Sequence, residues 1–431
     1  MRKKISVLVC VAIIGALLMS TVPALGQDAP LTILWWGGQE RHDRTIAVIE
    51  MYEEETGIDI EFEFAGWGDY WTLANTKAAG GELQCIMQQD YGFLYQWQSN
   101  DQLMALDAFL EDGTIDTTNI PDAAIAGGII EDQMYGINLG NNSQAIMIDV
   151  DAFEEAGVDL PPEDWTWDEF EATATALHDA LGIWGFGGPI WDGGILRSYM
   201  LSHGQYLYAP DGSGLGFEDD ALFTEYFDRI LRMSESGATA TFEELLAEFQ
   251  DVAPEATPLA VDRAAMDYKW SNQVVAVWVG AGEDANIRLW PLPRANEDAL
   301  PSNYFKPSMF FSITNNCDQP EEAAKFISFF VNDNEANEIL FAERGVPIST
   351  AVQEHLQPML EPAQLEMFEF LARIGDYNVP TPPPDPVGAP TADTDVLDPL
   401  VIQPILFGQI SPAEGAEILR TEATRVFEEA R

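Results

Sequence analysis

One alternation runs through residues 31–88 and restricts the fold more than any other feature of the chain. Apolar Leu31–Trp35 is followed by helical spacing over Arg44–Glu55. Ile58–Phe64 then alternates apolar and acidic residues, Tyr70–Ala79 is helical again, and Cys85–Gln88 is a short apolar run. Thr56–Gly57 and Gly80–Gly81 end the two helices, since glycine takes the left-handed conformation that closes a helix. Strands joined through a helix lie parallel, with a right-handed crossover. The order therefore predicts an α/β fold, with a largely parallel sheet and helices on both faces. In such sheets ligands sit beyond the carboxyl ends of the strands.

The first strand ends there in Trp35–Trp36–Gly37–Gly38, followed by Gln39, Arg41 and His42. Indoles offer flat apolar faces, and glycines let a backbone come close to a ligand. A second unit begins near Tyr135, with a strand, a polar loop, a strand and a helix. Thr166 and Glu169 form a capping box before the next helix, and Tyr208–Phe217 reads as a turn-rich hairpin or loop. Helices are expected at 221–234, 242–249, 320–332, 334–343 and 412–430. Strands are expected at Asn272–Gly280 and Lys306–Thr314. The proline-rich run Asn378–Pro390 reads as a surface crossing, and no internal repeat is present.

At 431 residues the chain holds about two or three domains. Residues 1–26 read as a secretory signal peptide: Arg2, Lys3 and Lys4 precede an apolar run from Ile5 to Met19 and small residues up to Gly26. That run is too short for a comfortable membrane span. The expected product is a soluble protein exported across the inner membrane to the periplasm. With 72 acids against 20 basic residues the formal charge is −52, which excludes nucleic acid as a partner. The acids are spread along the chain, as on a solvated surface in a salty habitat. Beyond the leader the lysines are Lys77, Lys269, Lys306 and Lys325. Cys85 and Cys317 can pair in an oxidising compartment, but spacing alone does not show that they meet, and two separate thiols is the favoured expectation. The histidines have no metal-ligand spacing, and neither a phosphate loop nor a nucleophile elbow is present. No metal, cofactor or catalytic residue is expected.

Several collinear segments carry a resemblance: ILWWGGQERHD, GWGDYW, IMQQDYGFLYQW, YGINLGNNSQAIMIDVDAFEEAGV, KWSNQ, FKPSMFFSI, PEEAAKFISFF and ERGVPIS. Together, over residues 31–349, they resemble the sugar-binding extracellular solute-binding proteins of ABC transporters, the group that includes the maltose-binding proteins. Gln84–Cys85 departs from the Pro-Asp pair that often leads the third strand in that family. The resemblance implies a two-lobed periplasmic-binding-protein fold, with a ligand cleft between the lobes and several hinge crossings, near 140–142, 304–309 and 345–348. It divides the chain into a first lobe (27–141 plus 309–347) and a second (142–308 plus 348–431). It further implies a monomeric receptor that delivers an oligosaccharide to ABC permease subunits. A secreted glycoside hydrolase or lyase, or a same-fold binder of an acidic oligosaccharide or other solute, remains the alternative.

A sugar ring presents C–H groups on its face and hydroxyls at its edge, which suits aromatic rings combined with carboxylates, amides and cations. The candidate ligand residues are Trp36, Gln39, Arg41, Trp67, Asp90, Tyr91, Asn141, Asn142, Trp191, Trp270, Lys306, Ser308 and Arg344. Trp270 stands where the resembled family commonly places a stacking aromatic. Trp165 and Trp167 flank a helix start and are expected in the core.

Overall fold

The computed structural model describes residues 29–430 except 251, 283 and 377, so the expected leader lies outside the described residues. The opening alternation forms as expected. Strands β1 (Leu31–Trp36), β2 (Ile60–Ala65) and β3 (Ile86–Gln89) are joined by helices α1 (Gln39–Thr56) and α2 (Trp67–Gly80). Gly57 and Gly81 close these helices in the left-handed conformation. β2 and β3 both pair parallel to β1.

The strands that follow are β4 (Ile129–Ile130), β5 (Gln133–Met134), β6 (Ile137–Asn138), β7 (Asn141–Asn142), β8 (Gln144–Asp149), β9 (Met266–Trp270), β10 (Ile287–Trp290), β11 (Lys306–Pro307) and β12 (Phe310–Ile313). The first sheet runs β2-β1-β3-β12-β6. β12 arrives from a remote part of the chain and pairs antiparallel to both neighbours. In the second sheet, β10-β8-β9, both pairings are antiparallel, with β9 and β10 on either side of β8 and joined through one α-helix.

Each sheet carries its own core. Trp35, Tyr70, Phe310, Phe311 and Phe326 are fully buried about the first. Trp165, Trp167, Phe170, Phe186, Phe223 and Phe227 pack about the second, with Leu419 and Phe427 of the final helix against them. A smaller cluster joins the other face of the second sheet to Phe370 and Ile374.

Two expectations fail, and one holds only in part. Asn272–Gly280 is not a strand: a single 3₁₀ turn, Ser271–Gln273, leads into the helix Val274–Ala281. Val274 and Val277, one turn apart, are buried against Leu259 and Phe370, and this tertiary burial outweighs the β preference of the valines. β2 forms at the sheet edge, and its expected half-buried face is only partly covered: Phe62 and Phe64 pack against Trp35 yet remain 37% and 40% exposed. Cys85 and Cys317 are joined as a disulfide, because β3 and β12 are neighbours and bring together two cysteines separated by 232 positions in the sequence.

The three expected crossing segments lie side by side. β7 pairs antiparallel with β11, Lys306 opposite Asn142. On its other flank Asn141 exchanges both backbone hydrogen bonds with Val346, at 2.8 and 3.0 Å. The approach is close enough to require glycine: a Cβ on Gly140 would lie 2.7 Å from the Arg344 carbonyl oxygen, and Gly345 has φ 105°.

Candidate functional site

The end of β1 is a structural knot rather than an open shelf. Trp35 is fully buried, and its Nε1 donates to His42 Nδ1 at 3.1 Å. Trp36 packs among Trp67, Tyr70 and Trp71. Its carbonyl accepts from Gln88 and Arg41. Arg41 Nε reaches both carboxylate oxygens of Glu343 at 2.9 Å, and Gln39 bonds Asp43 on the surface. Arg344 is buried against Gln88 and Thr45. Burial, aided by Arg41 and opposed by Glu343, pushes its pKa down to about 9.

The cavity itself holds about 290 Å³, at the low end of the usual size for ligand pockets. The structure brings Asp90, Tyr91, Trp270 and Lys306 together in its wall. Asp90 and Tyr91 follow β3 directly, and Asp90 caps the helix Tyr91–Ser99 by accepting from the Gly92 N–H. Trp270 ends β9, and the Lys306 ammonium sits over its ring, 5.4 Å from the centroid.

The other candidates do not line this cavity. Trp36, Gln39, Arg41 and Arg344 are engaged as described. Trp67 is 47% exposed and packs edge-on against Trp36 and Trp71. Trp191 is buried in the second core, edge-on to Phe242. Asn141 and Asn142 belong to β7, where Asn141 Oδ1 accepts from Asn138. Ser308 is buried at the crossing, with its N–H donating to Gly140.

Several wall residues were not anticipated. Arg197 lies 2.7 Å from Asp393 and 3.6 Å from Asp385, and it stacks over Tyr208. Tyr208 donates to Asp393 at 2.7 Å. Burial raises the pKa of Asp385; Asp393 and Asp90 add to the rise, while Arg197 and Lys306 oppose it. Burial likewise holds Tyr91, Tyr208 and Tyr304 neutral, far above the phenol range. Gln144, Ser198's acceptor on β8, completes the polar lining.

The proline-rich run is the main addition to the sequence reading. Pro382–Pro386 form a strap along the cavity, a role that the reading as a surface crossing did not include. Tyr91 donates to the Pro382 carbonyl, Thr381 donates to Phe305, and Asp385 meets Arg197. Proline lacks a backbone donor and has a fixed φ, so this run cannot join a sheet and stays extended against its neighbours. Nothing in the local sequence marks Arg197, which is 196 residues from Asp393. Among the described residues no His, Cys, Asp and Glu group could hold a metal ion, and no helix is long and apolar enough to cross a membrane.

The sequence matches the family of bacterial extracellular solute-binding proteins over residues 47–364. Among solved structures, a family 1 extracellular solute-binding protein from Alicyclobacillus acidocaldarius is 25% identical, with a TM-score of 0.77 over 93% of this chain and 100% of that one. A periplasmic solute-binding protein from Pectobacterium atrosepticum has 22% identity and a TM-score of 0.78 over 94% and 100%. A periplasmic oligogalacturonide-binding protein from Yersinia enterocolitica, in complex with saturated digalacturonic acid, has 22% identity and a TM-score of 0.76 over 94% and 100%. With its α/β lobes, its side-by-side crossings and a family match over most of its length, the chain belongs to the bacterial extracellular solute-binding proteins.

Proposed function

We propose that the protein is a non-enzymatic receptor that binds a neutral or weakly acidic oligosaccharide in the cavity and delivers it to ABC permease subunits outside the cytoplasmic membrane. The carrying observation is the wall itself: the Trp270 indole stands with Asp90, Tyr91 and Lys306, from remote parts of the chain, around one small space. The ring offers a face for sugar C–H groups, and the carboxylates and the ammonium suit hydroxyls. Residues 27–141 plus 309–347 would form one lobe and 142–308 plus 348–431 the other. Ligand that touches both lobes would favour their closed state by its differential affinity. Asp393, already held by Arg197 and Tyr208, is poorly suited to be one of the two working carboxylates of a glycosidase.

A thermal-shift screen against mono- and oligosaccharides tests the reading. A sugar at about 100 times its Kd should stabilise the fold by about 2.7 kcal/mol. Mass spectrometry of the sugar recovered after overnight incubation should find it unaltered; a cleaved product would replace the receptor with an enzyme.

A further inference from the structure

A second cavity, of about 400 Å³, has Asp267 and Lys269 of β9 in its wall and shares no lining residue with the first. Trp191 and Phe242 meet edge to face in its lining, with centroids 5.2 Å apart, and Leu246, 41% exposed, joins them. Asp267 is 0% exposed. Its Oδ1 accepts from the Tyr268 N–H at 2.7 Å and from Lys269 Nζ at 3.4 Å. Its Oδ2 has no hydrogen-bond partner among the described residues. The carboxylate is accommodated by Gly188, where a Cβ would lie 2.5 Å from Oδ1. Lysine is scarce in this chain. Lys77 and Lys325 pair with glutamates, while Lys306 and Lys269 line the two cavities.

A buried carboxylate oxygen without a donor is costly, so a group in this cavity that brings a donor to Asp267 is favoured over one that does not. A hydrocarbon would leave Oδ2 unpaired. A cation would meet the Lys269 ammonium, and an anion would meet Asp267. A neutral ring with adjacent hydroxyls satisfies both, donating to Oδ2 and accepting from Nζ, while its C–H face lies on an aromatic side chain. We infer that this cavity is a second sugar-binding site, taking one hydroxylated ring. The inference stands on the second cavity's own residues. The ring has two possible sources, a free monosaccharide or the far end of an oligosaccharide held in the first cavity.

The test is fluorine NMR of the protein labelled with 5-fluorotryptophan, titrated with glucose, galactose, maltose and maltotetraose. Trp191→Phe and Trp270→Phe assign the two reporter resonances. The Trp191 resonance should shift saturably with at least one probe, and Leu246→Arg or Asp267→Asn should weaken that response by about tenfold or more. A monosaccharide that moves Trp191 in Trp270→Ala protein identifies a free ring; maltotetraose moving both resonances together identifies the far end of one chain. A Trp191 resonance that no probe shifts saturably, or whose response is unchanged in folded Leu246→Arg protein, overturns the inference. The Trp270 resonance reports the first cavity separately, so either site can fail while the other stands.

Discussion

Trp270 and Lys306 are far apart in sequence, yet the ammonium rests over the indole in the wall of one cavity. Trp270→Ala should weaken sugar binding by about 1–3 kcal/mol, roughly tenfold to hundredfold, with little change in melting temperature. Calorimetric titration and thermal melts of one variant check this; unchanged affinity in a protein that melts many degrees lower would make the indole a packing residue. His42 carries a different prediction. Burial, with Arg41 and Arg344 nearby, lowers its pKa, and its neutral ring accepts from Trp35. The unfolded chain therefore takes up the proton first as pH falls below about 6.5. The stability due to His42 is present above that pH and lost below it. Between pH 7.5 and 5 the wild type should lose stability relative to His42→Gln in denaturant melts; identical pH slopes would remove His42 as the cause. Asp90, Tyr91, Trp270 and Lys306 were legible because each follows a strand or lies at a crossing. Arg197 and Asp393 were not, because only tertiary folding brings them together, and the same folding turned Arg41 and Arg344 toward Glu343.

Among the elements, β1 to β3 and their helices were legible because alternation, helical spacing and terminal glycines agree. Val274–Ala281 was not, since a short, uniformly apolar run has no period to separate helix from strand. Its position depends on close contact: a Cβ on Gly280 would lie 2.0 Å from the Glu255 carbonyl oxygen. Gly280→Ala should therefore destabilise the protein by about 1–3 kcal/mol, although alanine is the better helix former. A gain in stability on urea unfolding would mean that the 254–256 turn moves aside freely. The disulfide closes a separation of 232 residues. Replacing Cys85 and Cys317 together by serine should cost about 2–5 kcal/mol, because long loops lose most entropy when closed. An unchanged melting midpoint under non-reducing conditions would count against it. The proline run was visible as an element but its place along the cavity was not, because what seats it, Tyr91, Phe305 and Arg197, is all remote in the chain.

For the whole molecule, charge is the governing quantity. Arg229 and Arg232 converge on Glu171, and Arg373 bridges Glu163 and Glu366, but 20 basic residues cannot neutralise 72 acids. Self-repulsion should be screened by salt, so the melting temperature should climb as potassium chloride rises from low to about molar concentration. A flat profile would mean that the charges are already well compensated. The stacked crossings act at the same scale. Asn141–Asn142 is hydrogen-bonded to β11 on one flank and to Val346 on the other. Three strips of chain laid edge to edge bend together about one line but resist being twisted, as a door hung on a three-leaf hinge swings without racking. Opening and closing of the proposed lobes would thereby become travel along a single coordinate, and an arriving solute would meet the same two surfaces in the same alignment on every swing.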